Sequence, residues 1–245
     1  MVTKLPSTSG PLPDGESPGC DTADIYQIHR IFRWMYGELP SLIRGVPDGD
    51  IDRAAIVADF TAAGFIGLHM HHETEDLVLW DRMVDRAPGC VAHVDQMRAQ
   101  HAEIAAQLAV VEPLLASWRA TAQPDLRDHL AEQVERLRDT LGAHLGQEEA
   151  DAIPVAGEVL TQAEWDEMGE HARHGLQERK AELPKDFMAV QFGFMLASVP
   201  SDERDAWFKA NVPAPIRLLY ALILKRKYER SMKELYPDRP VPSMV

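Results

Sequence analysis

The chain has 245 residues, of which 45% are hydrophobic, and this is enough to bury a sizeable core. It carries 25 Lys and Arg against 39 Asp and Glu, and the resulting net charge of −14 opposes binding to nucleic acids and to anionic membranes. The longest apolar run, near Leu218–Leu224, is far shorter than the roughly 20 residues that a membrane-spanning helix needs. We therefore expect a cytoplasmic protein without a transmembrane segment and without a nucleic-acid partner.

The N-terminal segment is dense in Pro, Gly and Ser and has no apolar stretch of the kind found in secretory signals. Because it can bury little apolar surface to offset the entropy cost of ordering, we expect residues 1–20 to form a flexible tail. The only cysteines are Cys20 and Cys90, which lack the spacing of a metal site and are expected to be free thiols.

Four segments with the spacing of amphipathic helices follow this tail. The first begins near Thr22, and the second runs from about Asp52 to Asp85. Strand patterns are weak throughout the chain. The sequence therefore predicts an all-α protein, with an antiparallel four-helix bundle over residues 21–156 and a helical C-terminal extension over residues 157–245.

The third and fourth segments carry the most regular seams. Core positions in the third alternate steps of three and four residues: Val94, Met97, His101, Ile104, Leu108, Val111 and Leu115. The fourth repeats the spacing up to Pro154: Leu130, Val134, Leu137, Leu141, His144 and Glu148. Beyond them, Thr161 and Glu164 have the spacing of a capping box and predict the start of another helix. We expect the apolar run 218–224 to pack back on the bundle, rather than to form a helix for a partner or a membrane surface.

A histidine occupies a seam position in each of the four predicted helices. His29 lies in the seam of the first helix, and His101 and His144 stand where aliphatic residues are expected in the third and fourth. The second helix contains a histidine-rich and acidic run over residues 69–76. Taken alone, any one of these histidines is more often a hydrogen-bonded structural residue than a ligand.

Two of the helices also pair a histidine with a glutamate. His71 and Glu75 are four residues apart, as are His144 and Glu148, so each pair shares one helix face. Buried imidazoles and carboxylates without partners are costly, and one shared metal site satisfies all of them. Nitrogen and oxygen ligands without thiolate favour iron or manganese, allow zinc, and disfavour calcium or magnesium.

These segments resemble the hemerythrin-like HHE cation-binding family. Residues 71–80 and 144–149 both fit its HxxxE-E/D signature, residues 97–104 are similar to its third-helix histidine element, and His29 to its first-helix histidine. The resemblance covers roughly residues 22–156. The chain also looks like the actinobacterial branch of the family, in which a proline and an acidic helix follow the last ligand helix.

The resemblance implies two iron ions per chain, joined by oxo and carboxylate bridges, and a protein that binds and handles O2, peroxide or nitric oxide. The ligands carried over by position are His29, His71, Glu75, His101, His144 and Glu148. Ala105 stands where classical oxygen carriers have a second third-helix histidine. One iron is therefore expected to have fewer nitrogen ligands, which favours catalase-like peroxide turnover or redox sensing over reversible oxygen carriage.

The sequence leaves several alternatives open. In the second helix His72 with Asp76 is the alternate pair, because His72 shares the apolar face at least as well as His71 does. In the fourth, the classical spacing selects Glu149 instead of Glu148. We expect His69 to lie near the site or in solvent, and four histidines to lie on the surface or in loops: His93, His129, His171 and His174.

Two other function classes remain. In the first, iron occupancy or oxidation changes how residues 157–245 dock to a partner, which makes the protein a regulator. In the second, zinc holds the bundle together without redox chemistry.

Overall fold

The computed structural model describes residues 12, 15–179, 181 and 183–245, and no strand occurs in these ranges. The prediction of an all-helical chain is confirmed. The helices are α1 (Ala23–Arg44), α2 (Ile51–Thr74), α3 (Trp80–Arg86), α4 (Val91–Thr121), α5 (Pro124–Gln147), α6 (Ile153–Val159), α7 (Gln162–Glu178), α8 (Phe187–Ala197), α9 (Arg204–Asn211), α10 (Ala214–Leu219) and α11 (Lys225–Leu235).

Two helices contain a π-helical turn that begins at a glutamate. One turn, Glu75–Leu79, joins α2 to α3, and the other, Glu148–Ala152, joins α5 to α6. Such turns interrupt the regular helical hydrogen-bond ladder and are frequent at functional sites. Helical structure continues past Pro154, up to which the sequence analysis followed the fourth seam: Pro154 lies in the first turn of α6, where a missing N–H and the ring are tolerated.

Four helices surround the core. α1 packs against α2 and α5, and α4 also packs against α2 and α5. The predicted seam positions of α4 and α5 are buried, as their spacing indicated. Burial of these apolar side chains supplies most of the stabilisation that holds amphipathic helices together.

The buried apolar side chains form two clusters with a polar layer between them. In each core helix, one member of each cluster flanks the predicted ligand. The flanking pairs are Ile25 and Phe32 in α1, Leu68 and Leu79 around the turn after α2, Met97 and Ile104 in α4, and Leu141 and Ala152 around the turn after α5. The predicted ligands therefore lie at one level of the core, enclosed by apolar packing on both sides.

The C-terminal extension packs on the outside of α1 and α2. The predicted capping box opens α7, since Thr161 and Glu164 cap each other's backbone N–H groups. α7 packs against α2, α8 against α1 and α11, and α11 against α2.

The approach of α8 to α11 requires a glycine, because a Cβ atom at Gly193 would lie 2.2 Å from Cδ2 of Tyr228. Trp34 Nε1 donates to the carbonyl of Pro242 at 3.1 Å, which ties the end of the chain to α1.

The apolar run 218–224 departs from its prediction. Leu218 and Leu222 are each 61% exposed, so this run does not pack back on the bundle. It is apolar on every side, and the ring of Tyr220 packs against Phe192 of α8 with 5.2 Å between ring centroids, which leaves the leucines facing outward. No helix in the described part of the chain is long and apolar enough to cross a membrane.

The predicted tail, residues 1–20, lies largely outside the described residues, which omit 1–11, 13 and 14. At its end, Gly19 donates to the carbonyl of Leu160 at 2.8 Å and Cys20 to that of Gly157 at 3.0 Å. Gly19 and Cys20 therefore belong to the packed structure. Cys20 and Cys90 are free thiols, as predicted.

Candidate metal centre

Seven side chains with metal-binding atoms converge in the polar layer as two adjoining groups. The three-imidazole group consists of His72, His101 and His144. The two-imidazole group consists of His29, His71, Glu75 and Glu148. Within each group the candidate ligand atoms lie within 4.8 Å of one another. Six of the seven residues are buried, and His71 is half-buried, with 7% of its side chain exposed.

Each glutamate lies between the two groups, and its carboxylate faces one histidine from each. From Glu75 the oxygen to Nε2 distances are 3.3 Å to His71 and 3.5 Å to His101, and from Glu148 they are 3.4 Å to His29 and 3.6 Å to His144. The two oxygens of Glu75 face different groups, whereas Oε2 of Glu148 faces a histidine of each group. Inward carboxylates of this kind are the ligands that a metal pair in a helix bundle shares.

Seven inward-facing atoms lack hydrogen-bond partners among the described residues, whereas Nε2 of His29 and Nε2 of His71 lie 3.2 Å apart as a hydrogen-bonded pair. The seven atoms are Nε2 of His72, His101 and His144, and both carboxylate oxygens of Glu75 and Glu148. Buried polar atoms are almost always paired, so this concentration in one layer requires an explanation. Metal cations satisfy all of these atoms together, and the donor chemistry, imidazole nitrogen with carboxylate oxygen, fits iron.

Burial also shifts the protonation equilibria toward the uncharged forms. It raises the pKa of Glu75, and the neighbouring carboxylate of Glu148 raises it further. Burial likewise raises the pKa of Glu148. On the imidazoles burial acts in the opposite direction, lowering the pKa of His71 and His72 and that of His144 to about 3. Neutral imidazoles are the form that binds metal.

Three of the imidazoles are held from outside through Nδ1. The Nδ1 to acceptor distances are 2.9 Å from His29 to Glu149, 2.9 Å from His101 to Asp76, and 3.0 Å from His144 to the side-chain oxygen of Gln100. A ring that donates through Nδ1 keeps the lone pair of Nε2 directed into the site. This outer hydrogen bond is the usual partner of a metal-bound histidine and fixes its orientation.

The acid that follows each inward glutamate provides this outer support. In the turn after α5, Glu148 faces inward while Glu149 accepts from His29 and from both terminal nitrogens of Arg33, the latter at 2.6 and 2.9 Å. Partial burial acts to raise the pKa of Glu149, but the hydrogen bonds from His29 and Arg33 outweigh it and lower the pKa to about 2. Glu149 is therefore an anion that orients His29.

The turn after α2 repeats this division of roles. Glu75 faces inward, while Asp76 accepts from Nδ1 of His101 and from Nε1 of Trp80, both at 2.9 Å. In both places the inward acid is the first residue of a π-helical turn and the outward acid is the second. In each pair of consecutive acids, the first therefore faces the site and the second orients an imidazole from outside.

A comparison with family models gives a match over residues 20–156 to the hemerythrin HHE cation binding domain. The chain belongs to this family. All seven converging side chains lie within the matched range of the hemerythrin domain. A search of curated proteins and a search of solved structures return no match.

All six residues predicted as ligands of the hemerythrin domain come together in the polar layer. His72, which the sequence offered only as an alternative to His71, lies there as well. Both fit because α2 packs against α1 on one side and α4 on the other, and successive helical residues point about 100° apart. His71 meets His29 of α1, whereas His72 stacks on His101 of α4. The apolar face shared by both histidines was the signal for this pair.

The structure also places a third imidazole, that of His72, beside His101 and His144, which the expectation drawn from Ala105 did not include. Ala105 is exposed, so that position of α4 faces solvent. His69 also lies outside the site and pairs with Glu112 at 3.0 Å. Four histidines were expected on the surface or in loops. His93, His129 and His174 are exposed and His171 is half-buried, and all four lie outside the two donor groups.

Proposed function

We propose that this hemerythrin-family chain is a non-haem di-iron protein that binds and handles O2, peroxide or nitric oxide. The observation that supports the proposal most directly is the pair of buried donor groups, joined by two carboxylates whose oxygens have no hydrogen-bond partner among the described residues. When bound, a di-iron pair supplies electron transfer and coordination positions for these small molecules.

An antiparallel four-helix bundle is part of this proposal. The link between α4 and α5 is only two residues long, which favours antiparallel neighbours. Gly49, in the link between α1 and α2, donates to the carbonyl of Ala122 in the link between α4 and α5 at 3.0 Å, so both links lie at one end of the molecule. His29 near the start of α1 meets Glu149 just beyond α5, which supports opposite directions for these helices.

The donors are divided unequally between the two groups. With both carboxylates shared, one metal position has three imidazoles and the other has only His29 and His71. Iron in such sites accepts about six ligands, so the two-imidazole position keeps more places for an exogenous molecule. We infer that O2, peroxide or nitric oxide binds on this side.

The surrounding residues orient the donors and limit water. Asp76 and Glu149 hold the rings of His101 and His29 and increase their basicity as ligands. Apolar clusters cover the layer on both sides, and the ring of Phe32 packs 5.2 Å from that of His71. A dry, fixed environment of this kind limits competing hydrolysis and proton leakage.

Loading with iron under reducing conditions tests the proposal. We expect about two irons per chain by elemental analysis, and a visible spectrum that changes on addition of O2, peroxide or nitric oxide. We propose His72 as a ligand, so the lack of a histidine at position 105 does not by itself reduce the number of nitrogen ligands. Ala105 therefore does not decide between peroxide turnover and oxygen carriage. Release of O2 from peroxide faster than with free iron would indicate turnover, and an oxygenated spectrum lost on degassing would indicate carriage. A protein that takes up only zinc would contradict both.

Regulation through the extension is a second candidate function, favoured by one set of contacts. α7 packs against the π-helical turn Glu75–Leu79, and Arg179 at its end donates to Glu73 at 3.0 Å. A shift of Glu75 on metal binding would therefore reach α7 directly. Limited proteolysis of the metal-free and iron-loaded chains tests this function, which predicts that cleavage within residues 157–245 differs between them.

A further inference from the structure

A cavity of about 270 Å³ lies between α1 and α2 of the bundle and α7 and α8 of the extension. Its walls are mostly apolar, and His71 of the two-imidazole group lines one part of it. The apolar side chains that define it include Ile28, Phe32, Met35, Trp165, Met168 and Met195. The extension thus forms one wall of an apolar cavity that is partly open to solvent, on the side of the site with fewer imidazoles.

The space exists because α2 presents small residues there. Ala63, Gly64 and Gly67 line the cavity at spacings that put them on one helix face. Glycine within a helix weakens it, yet two glycines lie within four residues of each other at this wall. A Cβ atom at Gly67 would only touch Phe32, at 3.7 Å from Cε1, so the backbone leaves room for a larger side chain that would project into the cavity.

The chemistry of the walls selects an uncharged molecule. None of the described residues that line the cavity is a lysine or an arginine, so an anionic headgroup finds no cation. Asp24, on the wall, accepts from Nε1 of Trp165 at 3.0 Å, and Thr74 donates to the carbonyl of Met70 at 2.7 Å. Gln191 offers a polar contact at the wall.

The volume of the cavity suits an organic ligand better than a gas molecule. An apolar cavity of about 150 Å³ stays dry and holds benzene, so this cavity has room for nearly twice that. A passage for O2 or nitric oxide needs far less space. Mostly apolar walls with a few polar groups are typical of small-molecule sites.

We propose that this cavity binds an uncharged, apolar organic molecule about the size of two fused or linked aromatic rings, beside His71. Binding itself needs no metal. The effect of the bound molecule on the metal site rests on the proposed function.

The test is a fluorescence titration of the full chain with 6-propionyl-2-(dimethylamino)naphthalene, a neutral fluorophore with two fused rings, with and without iron. We expect saturable binding at one site. Gly67→Leu should weaken it at least about tenfold, because the new side chain occupies the cavity. Gly142→Leu is the matched control, since Gly142 is an exposed helical glycine with no neighbour within 4 Å of an added Cβ, and it should bind as the parent does.

Ala172→Phe is a second variant that fills the cavity, from the α7 side, in case Gly67→Leu does not fold. Circular dichroism and iron content check that each variant is intact. Absence of saturable binding, or binding that neither variant weakens, would overturn the proposal. Iron loading without fluorophore binding would refute the cavity proposal alone, whereas fluorophore binding without iron loading would refute only the proposed function.

In cobalt-substituted protein the same titration has a second readout. Because His71 both lines the cavity and belongs to the two-imidazole group, a bound molecule should shift the visible cobalt bands of the parent chain. The shift should be absent from Gly67→Leu.

Discussion

The three-imidazole group and the two-imidazole group differ in what surrounds them. His72 and His101 stack with ring centroids 4.0 Å apart, and His144 meets His101 edge-on at 4.8 Å. These rings close their own side of the site. On the other side, the His71 ring meets Phe32 and borders the apolar cavity. Under the proposed function, we expect the three-imidazole group to hold its metal more tightly and the two-imidazole group to exchange small molecules.

The glutamates shared by both groups give the test with the largest expected effect. Glu75→Ala should abolish binding of both metal ions, because its oxygens face His71 on one side and His101 on the other. Metal content after dialysis measures this effect. Glu73→Ala, two residues earlier and paired with Arg179, is the control and should keep its iron. Two tightly bound irons in Glu75→Ala would show that the groups do not share this carboxylate.

Removing one imidazole from each group should have a smaller and separable effect. His72→Ala and His29→Ala should each lose roughly half of the iron, from different positions, because each removes a donor from one group only. His69→Ala is the matched control for the first, since His69 pairs with Glu112 outside the site. Full iron in His72→Ala together with loss in His71→Ala would mean that His72 is not a ligand.

The outer carboxylates should have a graded effect. Asp76→Asn and Glu149→Gln keep the inward donors but weaken the hydrogen bonds that orient His101 and His29. Metal affinity should fall roughly 10- to 100-fold, measured by competition with a chelator. Glu158→Gln, at an exposed position of α6, is the control for a lost carboxylate. Unchanged metal affinity in both variants would show that Asp76 and Glu149 do not orient the imidazoles in a way that matters for metal binding.

A change remote from both groups should affect stability without affecting metal content. Gly193→Ala places a Cβ atom against the Tyr228 ring and should lower stability by about 1–3 kcal/mol through overpacking. Gly37→Ala, with no neighbour within 4 Å of the added atom, should be neutral or slightly stabilising. Thermal unfolding measures both. Loss of iron from Gly193→Ala would mean that the site depends on the docking of α8 on α11.

Much of the bundle could be predicted because helical periodicity is local. The seam position of a histidine, as at His101 and His144, predicts both the helix face on which it lies and its burial in the core. The inward role of Glu148 followed from the same seam. Helix packing decided what the sequence left open, since His71 and His72 both enter the site only because α2 has a neighbour on each side.

Other features depend on interactions that no local pattern records. The π-helical turns at Glu75 and Glu148 are not marked in the sequence, because seam steps of three and four residues do not record a local change in the hydrogen-bond ladder. The run 218–224 has no periodic polar face, so its exposure depends on where α8 docks. The cavity likewise forms only when α7 and α8 cover the small residues of α2.

The most direct test of the two unequal groups is a Mössbauer spectrum of protein loaded with iron-57 under reducing conditions, before and after addition of nitric oxide. Three imidazoles on one side and two on the other predict two doublets of equal area, of which only one changes at limiting nitric oxide. The changed doublet should be the one missing from His29→Ala. A single doublet, or equal change in both, would contradict the division between the two groups.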